Sequence, residues 1–391
     1  MLGVVVTQPI YSSVSDVLGR KFPLYAATVV FSVGSIVFAL ANNMSILILG
    51  RVLQGLGGGG LDVLQAVILS DITTLKERPL YIGFMSLAIA VGSVIGPAVG
   101  AAFTDHVEWR WIGWVNLPFT GIILLLIFFF LHLQPLDMTL AAKIRRLDWG
   151  GILLFATGTS FFALSLSWAD ALYPWASWKT LTPLIVGALL LVTLIFYEAR
   201  PVEPVFPPRI FSGITLGTAL VSGFFNGMIM YSLILYLPLF FQATFLRAPL
   251  RAALSALPVC LVSVGFSFVS SIVMELTRRY RLQLCFGWVL TAVFLGLWSR
   301  VGENTSWAEN YSLQAFLGVG IGTVFTTTAI QLQAGVERVD DMGIAAGLLV
   351  VFRLFGALIG QSIGAAVFSS VFQRSLAAKF AELPEARHSK Y

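Results

Sequence analysis

The chain has 391 residues, of which 58% are hydrophobic and only 11% are charged, and its mean hydropathy is +0.88. Because about a quarter of the residues in soluble domains are charged, this composition excludes an ordinary soluble globular protein. The net charge of +5 does not indicate a nucleic-acid partner, since nearly all Lys and Arg residues lie in short segments between apolar runs. Basic residues in such loops orient a membrane protein.

Apolar runs long enough to cross a bilayer predict eleven membrane-spanning helices. In chain order they cover 23–42, 45–71, 80–104, 111–132, 148–168, 180–198, 213–241, 254–276, 283–299, 311–335 and 342–371. The ten residues before Tyr11 are apolar, but as a helix they reach only about 15 Å, half the hydrocarbon thickness. We interpret them as the end of a longer helix and not as a signal peptide. The basic loops alternate, which predicts that the candidate glycosylation residue Asn304 faces outside.

An internal repeat relates the two halves of the chain. The segment GSVIGPAVGAA at 92–102 is echoed by GALIGQSIGAA at 356–366, and QGLGGG at 54–59 is echoed by LGVGIG at 317–322. The first pair of segments shares glycines at four-residue spacing, namely Gly92, Gly96 and Gly100 in one copy and Gly356, Gly360 and Gly364 in the other. Such symmetry is typical of secondary transporters.

The repeat predicts an all-helical membrane protein of two pseudo-symmetric bundles. We divide it into an N-terminal bundle (1–146), two extra central spans with a linker (147–211) and a C-terminal bundle (212–391). Glycines at fours let membrane helices approach closely, and Pro97 removes a backbone donor beside Gly96. We therefore predict a tight crossing at Gly96, packed on the other half at Gly356 and Gly360.

No motif in the sequence indicates an enzyme. There is no nucleophile elbow, P-loop or pair of catalytic carboxylates, and none of the three histidines lies in the interior of a predicted span. The two cysteines have no disulfide or metal-ligand spacing, so we interpret them as packing residues. The sequence predicts no metal and no cofactor.

Charged residues inside the predicted spans are candidates for function. Arg51 and Asp62 are eleven residues apart in one span, which separates them by only about 20° of rotation and about 16 Å along the helix. Each charge would cost about 2.5–3.5 kcal/mol at the bilayer centre, so their shared face should line a cavity together with Gln54 and Arg353. We predict that Asp62 exchanges a proton in the field of Arg51; the alternative is a solvated wall residue without that role.

Aromatic residues follow the span at 213–241 and predict a wall suited to hydrophobic ligands. They are Phe224, Phe225, Tyr231, Tyr236 and Phe240. The alternative is that they face lipid or pack against other helices.

Several motifs in combination resemble the major facilitator superfamily. SDVLGRK at 15–21 is similar to the loop motif after the family's second span, with Ser12 where the family has Gly. Its matching residues are Asp16, Gly19, Arg20 and Lys21. GRVLQGLGGGG at 50–60 resembles the fourth-span motif and GSVIGPAVG at 92–100 the antiporter motif of the fifth span. Three further segments resemble signatures of the fungal-type fourteen-span drug/proton antiporters, namely WRWIGWVNLP, LDWGG and FRLFGALIGQSIG.

The resemblance implies two six-helix bundles around a cavity that opens alternately to each side, with Asp16 and Arg20 paired to a neighbouring helix end. It implies that Met1 falls inside the family's second span and that the last span is absent. The expected function is proton-driven export of small amphipathic or hydrophobic compounds by a monomer in the plasma membrane. Its expected partners are substrate, protons and lipid, with the proton gradient as energy source. The alternatives are a siderophore-iron carrier and a truncated membrane protein without transport.

Overall fold

The computed structural model describes residues 1–74, 77–131, 147–169, 172–199, 204–211, 213–302, 305–336, 338 and 341–382, with backbone alone at some positions of α4, α9 and the end of α15. This part of the chain is α-helical, as predicted. The helices are α1 Leu2–Leu18, α2 Lys21–Ala39, α3 Met44–Ile72, α4 Arg78–His106, α5 Trp111–Trp114, α6 Asn116–Phe130, α7 Trp149–Trp168, α8 Trp178–Tyr197, α9 Pro208–Phe211, α10 Ile214–Phe245, α11 Pro249–Ser255, α12 Leu257–Thr277, α13 Tyr280–Trp298, α14 Trp307–Gly335 and α15 Met342–Glu382.

Ten stretches of the described residues are helical, long and apolar enough to cross a membrane, and they correspond to ten of the eleven predicted spans. Helix α4 covers the remaining prediction, 80–104. The expected loop at 15–21 is shorter than predicted, because α1 continues to Leu18 and α2 begins at Lys21. Gly19 and Arg20 alone join the two helices, and Gly19 has a φ of 87°, which favours glycine.

The two copies of the glycine run occupy equivalent helix contacts. Helix α3 packs on α1 and α2, and α14 packs on α12 and α13. A Cβ on Gly57 would lie 2.8 Å from the Phe31 Cα atom, and a Cβ on Gly320 would lie 2.7 Å from the Thr291 backbone nitrogen. Both distances are shorter than normal contacts, so these glycines allow the helix backbones to approach closely.

The predicted contact between the other two glycine segments is wrong. A Cβ on Gly360 would lie 2.8 Å from the Met228 carbonyl oxygen, so this part of α15 packs on α10. Gly356 and Gly364 contact α10 in the same way, at Phe224 and Tyr236. Among the described residues, no atom lies within 4 Å of a Cβ placed on Gly92, Gly96 or Gly100, and the Pro97 side chain lies outside the description.

The central pair α7 and α8 pack on each other, and α7 also contacts α1 and α15. Asp148 caps the start of α7 by accepting a hydrogen bond from the Gly151 backbone N–H at 2.9 Å. Near the other end of α7, the Ser167 hydroxyl lies 3.1 Å from the Ser362 hydroxyl of α15. The pair is therefore attached to α15 through α7.

Candidate functional site

A cleft lies between α3 and α4 on one side and α10, α14 and α15 on the other. It contains about 880 Å³ of empty space, part of which is open to solvent. Its described lining is mostly apolar, with the polar side chains of Asp62, Gln65, Tyr231, Gln333 and Arg353. The cleft joins elements from both halves of the internal repeat, and we treat it as the candidate functional site.

Asp62 lies in the cleft with both carboxylate oxygens engaged. Oδ2 accepts a hydrogen bond from Gln8 Nε2 of α1 at 2.9 Å, and Oδ1 accepts one from Gln65 Nε2 at 3.2 Å. Gln8 is completely buried, and its side-chain oxygen Oε1 has no hydrogen-bond partner. Helix α1 therefore holds the acid in place from behind.

Arg353 is the cation that faces Asp62. Asp62 lies ten residues before the end of α3 and Arg353 eleven residues after the start of α15, so each is about 15–17 Å along its helix from these two ends, which lie close together at Asp71 and Gly343. Their charges interact, although no nitrogen–oxygen contact within 4.0 Å joins these two described side chains. Arg353 is 8% exposed, donates to the Phe325 carbonyl oxygen at 3.3 Å and lies 3.8 Å from the centre of that ring.

The structure does not support the prediction that Arg51 provides the positive field at Asp62, because the cation that acts on Asp62 is Arg353. The Arg51 guanidinium lies 4.1 Å from the centre of the Phe38 ring and donates to Gln54 Oε1 at 3.2 Å. Gln54 in turn donates to the Ser35 hydroxyl at 3.0 Å. Arg51 and Gln54 are therefore held against α2 and do not line the cleft. The separation of about 16 Å along α3 leaves Arg51 too far from Asp62 for contact.

The predicted aromatic wall contributes one residue to the cleft, Tyr231. Phe224 packs on Phe355 with ring centres 6.1 Å apart, and Tyr236 donates to the Gln361 carbonyl oxygen at 2.7 Å. Phe225 faces outward from α10, and Phe240 belongs to a cluster around Trp298. For most of these aromatic residues, packing or a lipid-facing position is therefore the correct alternative.

A second polar cluster lies at the junction of α1, α2 and α3. Arg20 forms ion pairs with Asp16 and with Asp71 Oδ2, the latter at 2.8 Å. Burial lowers the pKa of Arg20, but the charges of Asp16 and Asp71 outweigh burial and raise it above its usual value. Lys21 begins α2 beside this cluster. The motif residues therefore connect the end of α1 to the end of α3.

The same cluster touches the other half of the molecule. A Cβ on Gly343, at the start of α15, would lie 3.3 Å from Asp71 Oδ1, and a Cβ on Gly347 would lie 3.0 Å from the Ser12 hydroxyl. A carboxylate is favourable near a helix N-terminus because the unpaired backbone N–H groups there carry partial positive charge. The ion pairs at Arg20 thus lie where α1, α3 and α15 meet. Asn304 lies outside the described residues.

Two related helix groups around a cleft with buried charges define the fold of a membrane transporter. The Major Facilitator Superfamily profile matches residues 1–361, so the chain belongs to this superfamily and is an integral, multi-pass membrane protein.

Named relatives and a solved structure agree with this assignment. The chain is 44% identical over 375 residues to the MFS-type transporter sphD of Aspergillus fumigatus, covering 95% of this chain and 65% of that protein. It is 33% identical over 373 residues to the efflux pump FUS6 of Gibberella fujikuroi, covering 95% of this chain and 67% of that protein. The human organic anion transporter MFSD10 superposes with a TM-score of 0.69 at 16% identity, over 94% of this chain and 76% of that chain. These relatives are transporters, not enzymes.

Proposed function

We propose that the protein exports small amphipathic or hydrophobic organic compounds, such as drugs, toxins or secondary metabolites, in exchange for protons. We further propose that it acts as a monomer in the plasma membrane, without a cofactor, and belongs to the fourteen-span antiporter group. The efflux pump named among its relatives supports export. The attached pair α7 and α8, inserted between the two halves, supports the fourteen-span arrangement.

The observation that carries this proposal is the composition of the cleft. Its walls are mostly apolar, and its described charged residues are one acid, Asp62, and one base, Arg353. An apolar cleft with few polar groups is suited to a hydrophobic ligand that is oriented by one or two hydrogen bonds. Charges inside a membrane protein are costly and mark substrate or proton pathways.

Asp62 is the proposed proton carrier. Its carboxylate is held by Gln8 and Gln65 and faces Arg353 across the two halves of the molecule. Protonation of Asp62 would leave the Arg353 charge uncompensated, and ionisation would restore the pair. The proton and the substrate can therefore favour opposite conformations of the interface between the two halves, which is the requirement for exchange.

The cleft does not favour a siderophore-iron carrier. An anionic chelate would require an excess of Lys or Arg, but the described lining has one acid for its one base. Arg51, the second candidate cation, packs on Phe38 instead. Siderophore-iron transport is therefore one outcome of the test below and not the proposed function.

The test measures accumulation of a panel of fluorescent and toxic compounds in cells with and without the protein. We expect lower accumulation of hydrophobic and amphipathic compounds, and reversal when a protonophore collapses the proton gradient. The matched control is Asp62→Asn, which keeps the side-chain size and an acceptor for Gln8. Uptake of a labelled ferric chelate would support the siderophore carrier instead, and no change for any compound would contradict transport.

A further inference from the structure

Two carboxyl groups lie together at the ends of α7 and α8, away from the cleft. Asp148 is the residue before α7, and Glu198 is the residue directly after the α8 span. A Cβ on Gly151 would contact both Asp148 Oδ2 and Glu198 Oε1, so the two oxygens flank the same point. Asp148 is 6% exposed and Glu198 is 4% exposed.

The carboxylate oxygens that face each other have no hydrogen-bond partners. Asp148 uses Oδ1 to cap α7, which leaves Oδ2 unpaired, and neither oxygen of Glu198 completes a hydrogen bond. The backbone N–H groups of Val205 and Phe206 lie close enough to favour the ionised form of Glu198, but they do not reach hydrogen-bond geometry with its oxygens. Buried polar atoms are almost always paired, so unpaired oxygens on two adjacent acids require an explanation.

The surroundings of the pair are apolar. Glu198 lines a cavity formed by α7, α8, α9 and α15, whose other described walls are apolar side chains such as Phe155, Leu194 and Phe206. Burial, with a smaller contribution from the Asp148 charge, raises the pKa of Glu198 to about 7. Two adjacent carboxylates in such a site cannot both ionise at low cost.

The charged and titratable groups on the neighbouring elements have other partners. On α8, the Tyr197 hydroxyl lies beside Gly150. On α1, Asp16 pairs with Arg20, and on α15, Arg353 contacts Phe325. Among the described side chains, Asp148 is thus the charge that acts on Glu198.

We propose that Asp148 and Glu198 form a proton-binding site that holds one shared proton, separate from the cleft. With the proton bound, a carboxyl O–H on one acid can donate to the other acid, which engages two of the three unpaired oxygens. Without it, two buried negative charges repel each other at the junction of α7 and α8. Because α7 contacts α15, which carries Arg353, the state of this site acts on the packing of a helix that lines the cleft.

Infrared difference spectroscopy of the purified protein tests the site directly. We expect a protonated carboxyl band that disappears with a midpoint near pH 7 and is missing from the Glu198→Gln variant. The matched variant Asp148→Asn keeps the helix cap but removes one charge, so the band should titrate at lower pH. A Glu198 midpoint near the ordinary glutamate value of about 4.3 would overturn the proposal.

Thermal unfolding as a function of pH provides an independent measurement. Because the folded protein binds this proton more tightly than the unfolded chain, stability should fall as the pH rises from 4.5 to about 7 and then level off. Glu198→Gln should flatten this part of the profile. A flat wild-type profile would contradict the site.

Discussion

Gly57 and Gly58 are adjacent, but the structure predicts opposite effects for the same substitution. In Gly57→Ala, the new Cβ would lie 2.6 Å from the Ala27 carbonyl oxygen and 2.8 Å from the Phe31 Cα atom, both in α2. Normal carbon–carbon contacts are about 3.5–4.0 Å, so α2 would have to move away by roughly 0.7 Å or more. Overpacking of this kind costs about 1–3 kcal/mol.

Gly58→Ala is the matched control. The nearest atom to its Cβ would be Val4 Cγ2 at 3.8 Å, an ordinary contact. Because alanine is favoured over glycine in a helix by about 1 kcal/mol, this variant should be neutral or stabilised. The free energy of unfolding in mixed micelles should therefore differ between the two variants by roughly 2–4 kcal/mol. Equal stabilities would refute the packing of α3 on α2.

Three further predictions concern residues in the motifs that resemble the family. Gly360→Ala should reduce efflux strongly, because its Cβ would lie 2.8 Å from an atom of α10. Gly96→Ala is the control and should retain efflux, and equal efflux from both variants would contradict this packing. Arg20→Lys should lose more than half of the efflux rate while membrane insertion is unchanged. One ammonium does not replace a guanidinium bound to two carboxylates, so full activity would contradict that geometry. Gly19→Ala should lower the free energy of unfolding by about 1 kcal/mol because of its positive φ, and an unchanged value would contradict that conformation.

The helices follow from the sequence because apolar runs and bilayer thickness determine their number and approximate ends. Close packing at Gly57 and Gly320 was also predictable, since a glycine run on one face needs a neighbouring helix. Which helix fills that face depends on tertiary arrangement, which spacing does not encode. The prediction for Gly96 and Gly360 therefore paired the wrong helices.

The sequence predicts some residues of the candidate site but not how they are arranged. Asp62 and Arg353 are recognisable as charges inside apolar runs, and both line the cleft. Their mutual orientation depends on how two distant helices meet, so helix periodicity assigned Asp62 a neighbour on its own helix, Arg51. Gln8 and Asp71 carry no comparable signal, because Gln8 is uncharged and a charged residue near a helix end, such as Asp71, is common. Their roles appear only when α1 and α3 are placed side by side.

Proton-coupled transport by Asp62→Asn in liposomes tests the central claim most directly. The purified protein is reconstituted, a pH gradient is imposed, and uptake of a compound identified in the cell assay is followed together with internal pH. We predict that the wild type accumulates substrate against its gradient and dissipates the pH difference. Asp62→Asn should still bind and exchange substrate, because Gln8 and the apolar walls remain, but should not respond to the gradient. A variant that accumulates substrate like the wild type would contradict the account.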